Sequence, residues 1–339
     1  MKLLSEFKSR FRILTGWQAR VESAMSGATI LAYHSVIDRL HGDGLEEYVV
    51  TQQQLDSHIR FFKQRGQILA LQELVDLVGK QQPLPNPVYV LTFDDALQCQ
   101  LTHAKQVLDF HRVPWTLAIP AGLVERGRSV WSYELRYLIR HCWNRSRLPT
   151  PRGIPAELAS SSSQERRKAT QIIFGQLMNE CSVNERLEYL ERLIDLVGSK
   201  VFFPRFANDP RFRMADWTIL RDAANPLLEF ASHGWDHVPH QAAVDQSILR
   251  KEVFDSRDVI ANRLGISPQT FVFPHGISTS NSDAAVRKAG YRCCLTTRSD
   301  RVTSNVDLMR MPRFNAEYSL PILRRHLSRG SSSDIDSQN

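Results

Sequence analysis

Ionisable side chains stand directly after several short apolar runs of this sequence, at the points where β-strands would end. They are His34 after the run 28–33, Asp94 and Asp95 after 88–93, His233 after 227–232, His275 after 270–274 and Arg313 at the end of 309–313. In an α/β barrel the carboxyl ends of the strands form one rim, where active sites are built. We therefore expect these side chains to face a single cleft.

Asp94 and Asp95 are adjacent and follow an entirely apolar run. A single aspartate at such a place is often a helix N-cap. Side chains at neighbouring positions point in opposite directions, so only one of the two can act as a cap. The pair favours a chemical role for at least one carboxylate.

His233 and His237 are four residues apart in the segment HGWDH. Two imidazoles at this spacing can bind one metal ion from a helical turn or a compact loop. With an aspartate from another strand end they make a set of two histidines and one carboxylate, which leaves positions for water and substrate. The same set occurs in non-haem Fe(II) oxygenases, but the spare Asp94 beside Asp95 favours hydrolysis.

Strand-like runs alternate with helical patterns along most of the chain. This alternation predicts an α/β fold in which the parallel strands form a barrel. The predicted strands are 28–33, 88–93, 115–119, 227–231, 270–273 and 291–296, with weaker candidates at 68–71 and 309–313. The predicted helices are 52–65, 71–78, 101–110, 248–264 and 282–289. Between 125 and 216 the rhythm changes to helical segments at 132–140, 164–180 and 184–197, with a link rich in proline and serine at 149–163. We interpret this stretch as an insertion between two barrel strands.

The predicted organisation has three parts: residues 1–26, 27–316 and 317–339. The first is a basic amphipathic helix, whose apolar stripe either packs on the barrel or lies on a membrane surface. The second is the barrel with its insertion. The third is a short helix followed by a tail rich in serine and aspartate, which we expect to be disordered.

Composition narrows the functional classes. The chain has 339 residues, five cysteines without a CxxC pair, and 43 Lys+Arg against 36 Asp+Glu, a net charge of +7. The cysteine pattern indicates a reducing compartment, and residues 1–25 lack the features of a signal peptide. We expect a cytoplasmic protein. Contact with the membrane surface or with lipid phosphate could hold it at the inner face of the membrane. The positive charge is expected mainly in the N-terminal helix, the insertion and the C-terminal helix, away from the rim, and no nucleic-acid motif accompanies it.

Four segments resemble motifs of the polysaccharide deacetylases, the nodulation-protein-B homology domain of carbohydrate esterase family 4. The segment 91–95 (LTFDD) resembles the first motif and 233–237 (HGWDH) the second. The segment 273–276 (FPHG) is similar to part of the third, and 30–35 (ILAYHS) resembles a strand of the branch associated with bacterial surface-polysaccharide biosynthesis. The resemblance spans about 27–315, excluding the insertion, and implies a distorted (β/α)7-8 barrel.

The resemblance implies a role for each matching residue. Asp95, His233 and His237 would bind a divalent metal, most plausibly zinc, with Co, Ni, Mn or Fe as alternatives. Asp94 would be the general base, and the backbone N–H of His275 would stabilise an oxyanion. The activity implied is hydrolytic removal of an N-acetyl group from a sugar of a surface polysaccharide or its lipid- or nucleotide-linked precursor.

The sequence departs from the family at three places. Ala96 replaces a glycine, and the arginine of the third motif is absent, for which Arg313 is a candidate substitute. The fifth motif, the source of the general acid, has no convincing match: Leu323 to His326 has a related pattern but lies in a predicted helix. His34 and His275 are the candidates for the acid.

The departures keep a second class of function open, a degenerate deacetylase that binds glycans or acts as a scaffold. The remaining histidines are expected at the surface or in packing: His41, His58, His103, His111, His141, His240 and His326. Trp131, Tyr133 and Tyr137 have the spacing of a helical core, although they could wall the cleft.

Overall fold

A computed structural model describes residues 27–151, 157–241 and 244–329, so the predicted N-terminal helix and the tail after 329 lie outside the described residues. The strands in chain order are β1 (Ala28–Tyr33), β2 (Ser35–Ile37), β3 (Val49–Thr51), β4 (Gln67–Ile68), β5 (Val88–Phe93), β6 (Trp115–Ile119), β7 (Arg147–Pro149), β8 (Glu157–Ala159), β9 (Leu228–Ser232), β10 (Thr270–Val272), β11 (Cys293–Leu295) and β12 (Phe314–Asn315).

Eight of these strands form one sheet, in the order β11-β10-β9-β6-β5-β1-β12, with β4 paired to the start of β5. All of its ladders are parallel. Helices connect successive strands, as parallel pairing requires. The predicted α/β class with a parallel, barrel-like sheet is confirmed.

The segment 311–316 links the two edges of the sheet. Met311 exchanges backbone hydrogen bonds with the β11 side, donating to Cys294 and accepting from Thr296. Three residues later Phe314 pairs with Leu31 of β1. This segment brings Arg313 to the carboxyl ends of the strands.

Thirteen helices lie within the described residues; they cover every helix predicted there, and those at 121–126, 199–207 and 217–223 were not predicted. They are α1 (Gln52–Arg65), α2 (Leu71–Gly79), α3 (Lys105–His111), α4 (Ala121–Arg126), α5 (Trp131–Tyr137), α6 (Ser163–Asn179), α7 (Val183–Val197), α8 (Ser199–Ala207), α9 (Trp217–Ala223), α10 (Gln246–Arg250), α11 (Ser256–Leu264), α12 (Ser280–Lys288) and α13 (Leu320–Arg329). Three short π-helical turns adjoin these helices, at Gln100–Ala104, Leu138–Cys142 and Lys251–Asp255, the last of which joins α10 to α11. None of the helices within the described ranges is long and apolar enough to cross a bilayer.

The faces of the strands are buried in different clusters. Leu31 and Tyr33 of β1 pack with α1, whereas Ile30 packs with Val90 of β5 and with Met311. Burial on both sides explains why the strands are mainly apolar, as is typical of parallel sheets. Glu229, near the start of β9, is an ionisable exception, and the ionisable side chains of the site come where the strands end.

The insertion between β6 and β9 has a core of its own, formed by α5 to α8. Capping boxes begin two of its helices, at Ser162 and Ser182. This core packs on Leu97 and Cys99, which follow the end of β5. The end of the insertion also bonds to that loop, since Ala215 donates its N–H to the carbonyl of Ala96. The insertion is thus attached directly beside the two aspartates.

Several predicted boundaries were wrong. The stretch 309–313 is not a strand, because Leu308–Arg310 form a 3₁₀ turn and the strand lies at Phe314–Asn315. The strand predicted at 68–71 is Gln67–Ile68, since Leu71 already begins α2. The link 149–163 contains β8, which pairs with β7 in an antiparallel hairpin. Short apolar stretches at turns carry no periodicity that fixes their bounds.

Candidate metal centre and active site

Asp94 forms a buried, bidentate ion pair with Arg313. Nη1 and Nη2 of Arg313 donate to Oδ1 and Oδ2 of Asp94 at 2.8 and 2.9 Å. The guanidinium also donates to Thr92 Oγ1 at 3.1 Å and to the carbonyl of Thr296 at 3.0 Å. Burial disfavours the charge on Asp94, but the Arg313 guanidinium outweighs it and holds the pKa of Asp94 well below the usual range. Asp94 is an oriented carboxylate.

The backbone turns sharply after Asp94. Asp95 and Ala96 both have positive φ, 76° and 50°. This conformation explains the glycine preference at the Ala96 position, and such strain is typically concentrated at functional sites. The buried Gln100 supports the turn, since its Nε2 donates to the carbonyls of Asp94 and His34 while its Oε1 accepts from Leu97 N–H.

Asp95, His233 and His237 meet in one buried cluster. The Nε2 atoms of His233 and His237 lie 3.5 and 3.4 Å from Asp95 Oδ1. Two donors bound tetrahedrally to one ion at about 2.1 Å lie roughly 3.4 Å apart. These separations are therefore those of ligands that share an ion.

The protonation pattern also suits a metal. His233 Nδ1 lies 2.7 Å from the carbonyl of Val272, which makes Nδ1 the donor and leaves Nε2 as the atom that faces Asp95. Burial, and then the neighbouring imidazoles, lower the pKa of His237 well below its usual value, so this ring is neutral. Asp95 Oδ1 is buried without a hydrogen-bond donor among the described residues. The donor set fits a divalent cation such as zinc.

Tyr133 of the insertion holds the other oxygen of Asp95, with Oη 2.7 Å from Oδ2. Burial and the Asp95 carboxylate raise the pKa of Tyr133 far above its usual value, so the hydroxyl keeps its proton and donates. A hydrogen bond from a neighbouring side chain to a metal ligand orients that ligand and tunes the metal site. The insertion thus reaches the cluster.

Glu252 holds the loop that carries His233 and His237, which is a compact loop and not a helical turn. Its buried carboxylate accepts from three backbone N–H groups, those of Trp235 at 3.0 Å, Asp236 at 2.7 Å and Val238 at 3.3 Å. The loop passes so close that a Cβ on Gly234 would lie 2.2 Å from Glu252 Oε2. Gly234 also has φ +80°, so a glycine is required here twice over.

His34 lies on the wall of the cleft and pairs with Glu317, Nδ1 to Oε1 at 2.6 Å. Burial alone would lower the pKa of His34, but Glu317, followed by Asp95 and Asp94, raises it to about 9. The ring is therefore protonated near neutral pH and presents its other nitrogen as a donor.

His275 occupies a 3₁₀ turn, Pro274–Gly276, with φ 55°. Its ring packs against His237 at 4.8 Å between ring centres and faces Trp131 and Phe174. Burial, followed by nearby positive charges, lowers its pKa to about 3, so the ring is neutral. Its Nε2 is buried without a partner among the described residues.

These groups line a cleft of about 600 Å³, a normal size for a small-ligand site. The structure brings together all seven candidate residues: Asp94, Asp95, His34, His233, His237, His275 and Arg313. Tyr133 and Phe174 of the insertion also line it, and so does His326, which stacks on Tyr318 and was expected outside any site. Sequence reasoning missed Glu317, Glu252 and Gln100, for which no local pattern exists.

Comparison with known proteins agrees with this geometry. A family model described as polysaccharide deacetylase matches residues 81–294, more than half of the chain. No curated protein sequence matches the chain significantly.

Solved structures share the fold at low sequence identity. The deacetylase PplD of Streptococcus pyogenes, solved in complex with acetate, matches with a TM-score of 0.58 and 14% identity over 91% of this chain and 99% of that one. IcaB from Ammonifex degensii matches with a TM-score of 0.58 and 15% identity, over 90% of this chain and 97% of that one. A de-N-acetylase from Aggregatibacter actinomycetemcomitans matches with a TM-score of 0.52 and 16% identity, over 89% of this chain and 100% of that one. At these identities the likeness shows the fold.

Proposed function

The chain belongs to the polysaccharide deacetylase family, and from this premise we propose that it is a metal-dependent N-deacetylase of a bacterial surface polysaccharide or its lipid- or nucleotide-linked precursor. The observation that carries the proposal is the convergence of Asp95, His233 and His237 beside the ion pair of Asp94 with Arg313. A carbohydrate deacetylase hydrolyses an amide, which requires an activated water, a polarised carbonyl and a proton for the leaving amine.

Asp95 Oδ1, His233 Nε2 and His237 Nε2 would hold the metal, which we propose is zinc, with Co, Ni, Mn or Fe as alternatives. Such a metal, when bound, acts as a Lewis acid on the acetamido carbonyl and makes a water more acidic. The protein orients the three donors through Val272, Tyr133 and Glu252. The bonds from His233 to Val272 and from Tyr133 to Asp95 fix the orientation of these two ligands before substrate binds.

Asp94 is proposed as the general base that takes the proton of the attacking water. Its Oδ2 lies 3.9 Å from His233 Nε2, so the carboxylate is adjacent to the metal donors. Arg313 keeps Asp94 ionised and fixes the plane of its carboxylate through two hydrogen bonds. Arg313 thereby acts as a positioning residue, in place of the arginine that the third motif lacks.

His34 is favoured over His275 as the general acid that protonates the leaving nitrogen. A general acid must carry a proton at working pH, and Glu317 supports a charged His34. The neutral His275 is packed among aromatic rings, which suits contact with the acetyl group. Its backbone N–H remains the proposed donor to the oxyanion.

We further propose that the protein works in a reducing compartment, in the cytoplasm or at the inner face of the membrane. The five cysteines all lie among the described residues, are buried and form no disulfide. Structural disulfides are common in oxidising compartments, so five cysteines without one favour a reducing compartment. The substrate would then be a precursor or a nascent glycan made inside the cell.

The alternative of a degenerate, glycan-binding protein has less support, because the proposed metal ligands, the proposed base Asp94 and Arg313 all line one cleft. An Fe(II) oxygenase would share the three donors but has no use for a carboxylate clamped by Arg313. The deacetylase proposal accounts for the whole cluster.

Acetate release tests the proposal. The full chain is stripped of metal with a chelator, reloaded with Zn²⁺ or Co²⁺, and incubated with N-acetylhexosamine oligomers, sugar phosphates and an artificial acetyl ester. We expect acetate only from the reloaded protein, with about one metal ion bound per chain. Stoichiometric metal binding without turnover of any of these substrates would contradict the proposal and favour the glycan-binding alternative.

A further inference from the structure

Two arginines line the cleft apart from the cluster that would carry the chemistry. They are Arg136 on α5 and Arg298 in the loop after β11. The positive charge of the insertion was expected away from the rim, and Arg136 departs from that expectation. Asp94 and Asp95 are the carboxylates among the described residues that line the cleft, and both lie at its buried floor.

The floor carboxylates are already matched with partners. Both carboxylate oxygens of Asp94 accept hydrogen bonds from the Arg313 guanidinium. Asp95 would be a metal ligand and also accepts a hydrogen bond from the Tyr133 hydroxyl. Neither has capacity left to balance Arg136 or Arg298. Of the two wall arginines, Arg136 is paired with Glu47 from outside the lining, and Arg298 is the one whose charge is less closely balanced.

Arg136 is fixed in direction. Its guanidinium lies over the rings of Tyr48 at 5.1 Å and Phe174 at 5.8 Å. Its Nη1 pairs at 2.9 Å with Glu47, whose side chain is 62% exposed and does not line the cleft. Stacking of this kind holds the planar guanidinium of Arg136 in place. Its in-plane N–H groups other than the one that pairs with Glu47 remain donors.

Arg298 is more open, with 63% of its side chain exposed. Its nearest carboxylate is Asp300 at 3.9 Å, at the limit of an ion pair. Thr297 and Ser299 on either side also line the cleft, and the Thr297 hydroxyl donates to the carbonyl of His275. A guanidinium beside the Ser299 hydroxyl matches the acceptor oxygens of a phosphoryl group.

Both arginines are tied to the residues at the centre of the site. Arg136 follows Tyr133 by three positions on α5, so the two lie on one helix face. Tyr133 touches Asp95. The carbonyl of Arg298 accepts the backbone N–H of Arg313, the partner of Asp94. Both arginines line the cleft that contains the cluster, so a group bound by either would belong to a molecule held in that cleft.

We propose that Arg136 and Arg298 form an anion subsite, and that the substrate sugar carries a phosphoryl group next to the N-acetylated ring. This inference rests on the proposed deacetylase function and specifies its substrate class. Sugar phosphates, nucleotide sugars and lipid-linked sugar phosphates share this chemistry. A neutral glycan lacks it.

The test compares matched substrates on the metal-loaded full chain. We expect kcat/KM for N-acetylhexosamine 1-phosphate to exceed that for the methyl glycoside of the same sugar at least tenfold, with a preference that falls as salt rises. Arg298→Gln and Arg136→Gln should each lower this preference several-fold. Arg287→Gln is the matched control, because Arg287 is equally exposed and pairs with Asp307 away from the cleft. UDP-linked and polyprenyl-linked sugars, assayed next, distinguish the sources of the phosphoryl group.

Equal kcat/KM for the two substrates would overturn the subsite and leave the deacetylase function standing. A phosphate preference that survives in both arginine variants would also overturn it, since it would reflect binding to the metal alone. If neither substrate releases acetate, the deacetylase proposal fails, and calorimetric binding of the two compounds decides the subsite. Arg298 lies on an exposed loop, so its variant keeps the test open if Arg136→Gln does not fold.

Discussion

Arg313 and Asp94 are 219 residues apart in the sequence and form a buried ion pair through the two terminal guanidinium nitrogens, Nη1 and Nη2. Asp94 follows β5, whereas Arg313 lies in the segment that joins the two edges of the sheet. The orientation of the proposed base thus depends on how the barrel is completed.

Replacing Arg313 with lysine tests this dependence. Lysine keeps a positive charge but cannot donate to both oxygens of Asp94 and to Thr296 at once, so we expect kcat to fall roughly 10- to 100-fold with little change in bound metal. Steady-state kinetics and metal analysis are the measurements. Arg310→Lys is the control, because Arg310 pairs with Asp283 outside the cleft. An unchanged kcat would show that Arg313 does not position the base.

The two adjacent aspartates should have separable roles. Asp94→Asn removes a base and should lower kcat by about 10²- to 10⁴-fold while metal stays bound. Asp95→Asn removes a charged donor and should lower metal affinity itself. Titration with Zn²⁺ against a chromophoric chelator distinguishes the two variants. Loss of metal from Asp94→Asn would reassign that residue as a ligand.

The pair of His34 and Glu317 predicts a pH dependence. Glu317 helps to raise the pKa of His34 to about 9, so the proton needed by a general acid is present below that pH and is lost as pH rises through it. In Glu317→Gln the alkaline fall of kcat should move to lower pH by about one unit or more. His34→Gln should abolish this alkaline fall together with most of the activity. Glu191→Gln, at an exposed site, should leave the profile unchanged. A profile identical in wild type and Glu317→Gln would remove His34 from this role.

Glu252 should matter for metal affinity without touching the metal. Gln at this position offers one acceptor oxygen and an NH₂ group that faces backbone N–H groups, so the loop with His233 and His237 should loosen. We expect metal affinity to fall about 10- to 100-fold and the visible spectrum of the Co²⁺ form to change. Glu229→Gln is a matched control, since Glu229 is partly buried but bonds to Gln72 and Thr116 far from the loop. An unaltered spectrum and affinity would make Glu252 a stabilising residue only.

Much of the fold and the site was predictable because it depends on local pattern. Apolar runs that end in an ionisable residue correctly indicated parallel strands, and parallel strands place Asp95 and His233 on one rim. Arg313 reached the same cleft although its strand was placed too early, since the segment still passes along that rim.

The rest depends on contacts that no local pattern encodes. Glu317 meets His34 across 283 residues, and Glu252 meets the histidine loop from a π-helical turn. Such a turn adds one residue to the helical register, so the hydrophobic period gives no sign of where it will point its side chains. Tyr133 has the spacing of a core residue and is buried as one, yet its hydroxyl binds Asp95.

The hydrogen bond from Tyr133 to Asp95 has a consequence for protein engineering. Because the inserted helices supply a contact to a proposed metal ligand, they are not an exchangeable cassette that only selects the sugar. A chimera that transplants this region from a relative would alter the affinity of the centre for its ion together with its specificity. Redesign of the substrate range should therefore keep α5 intact and vary the outer helices.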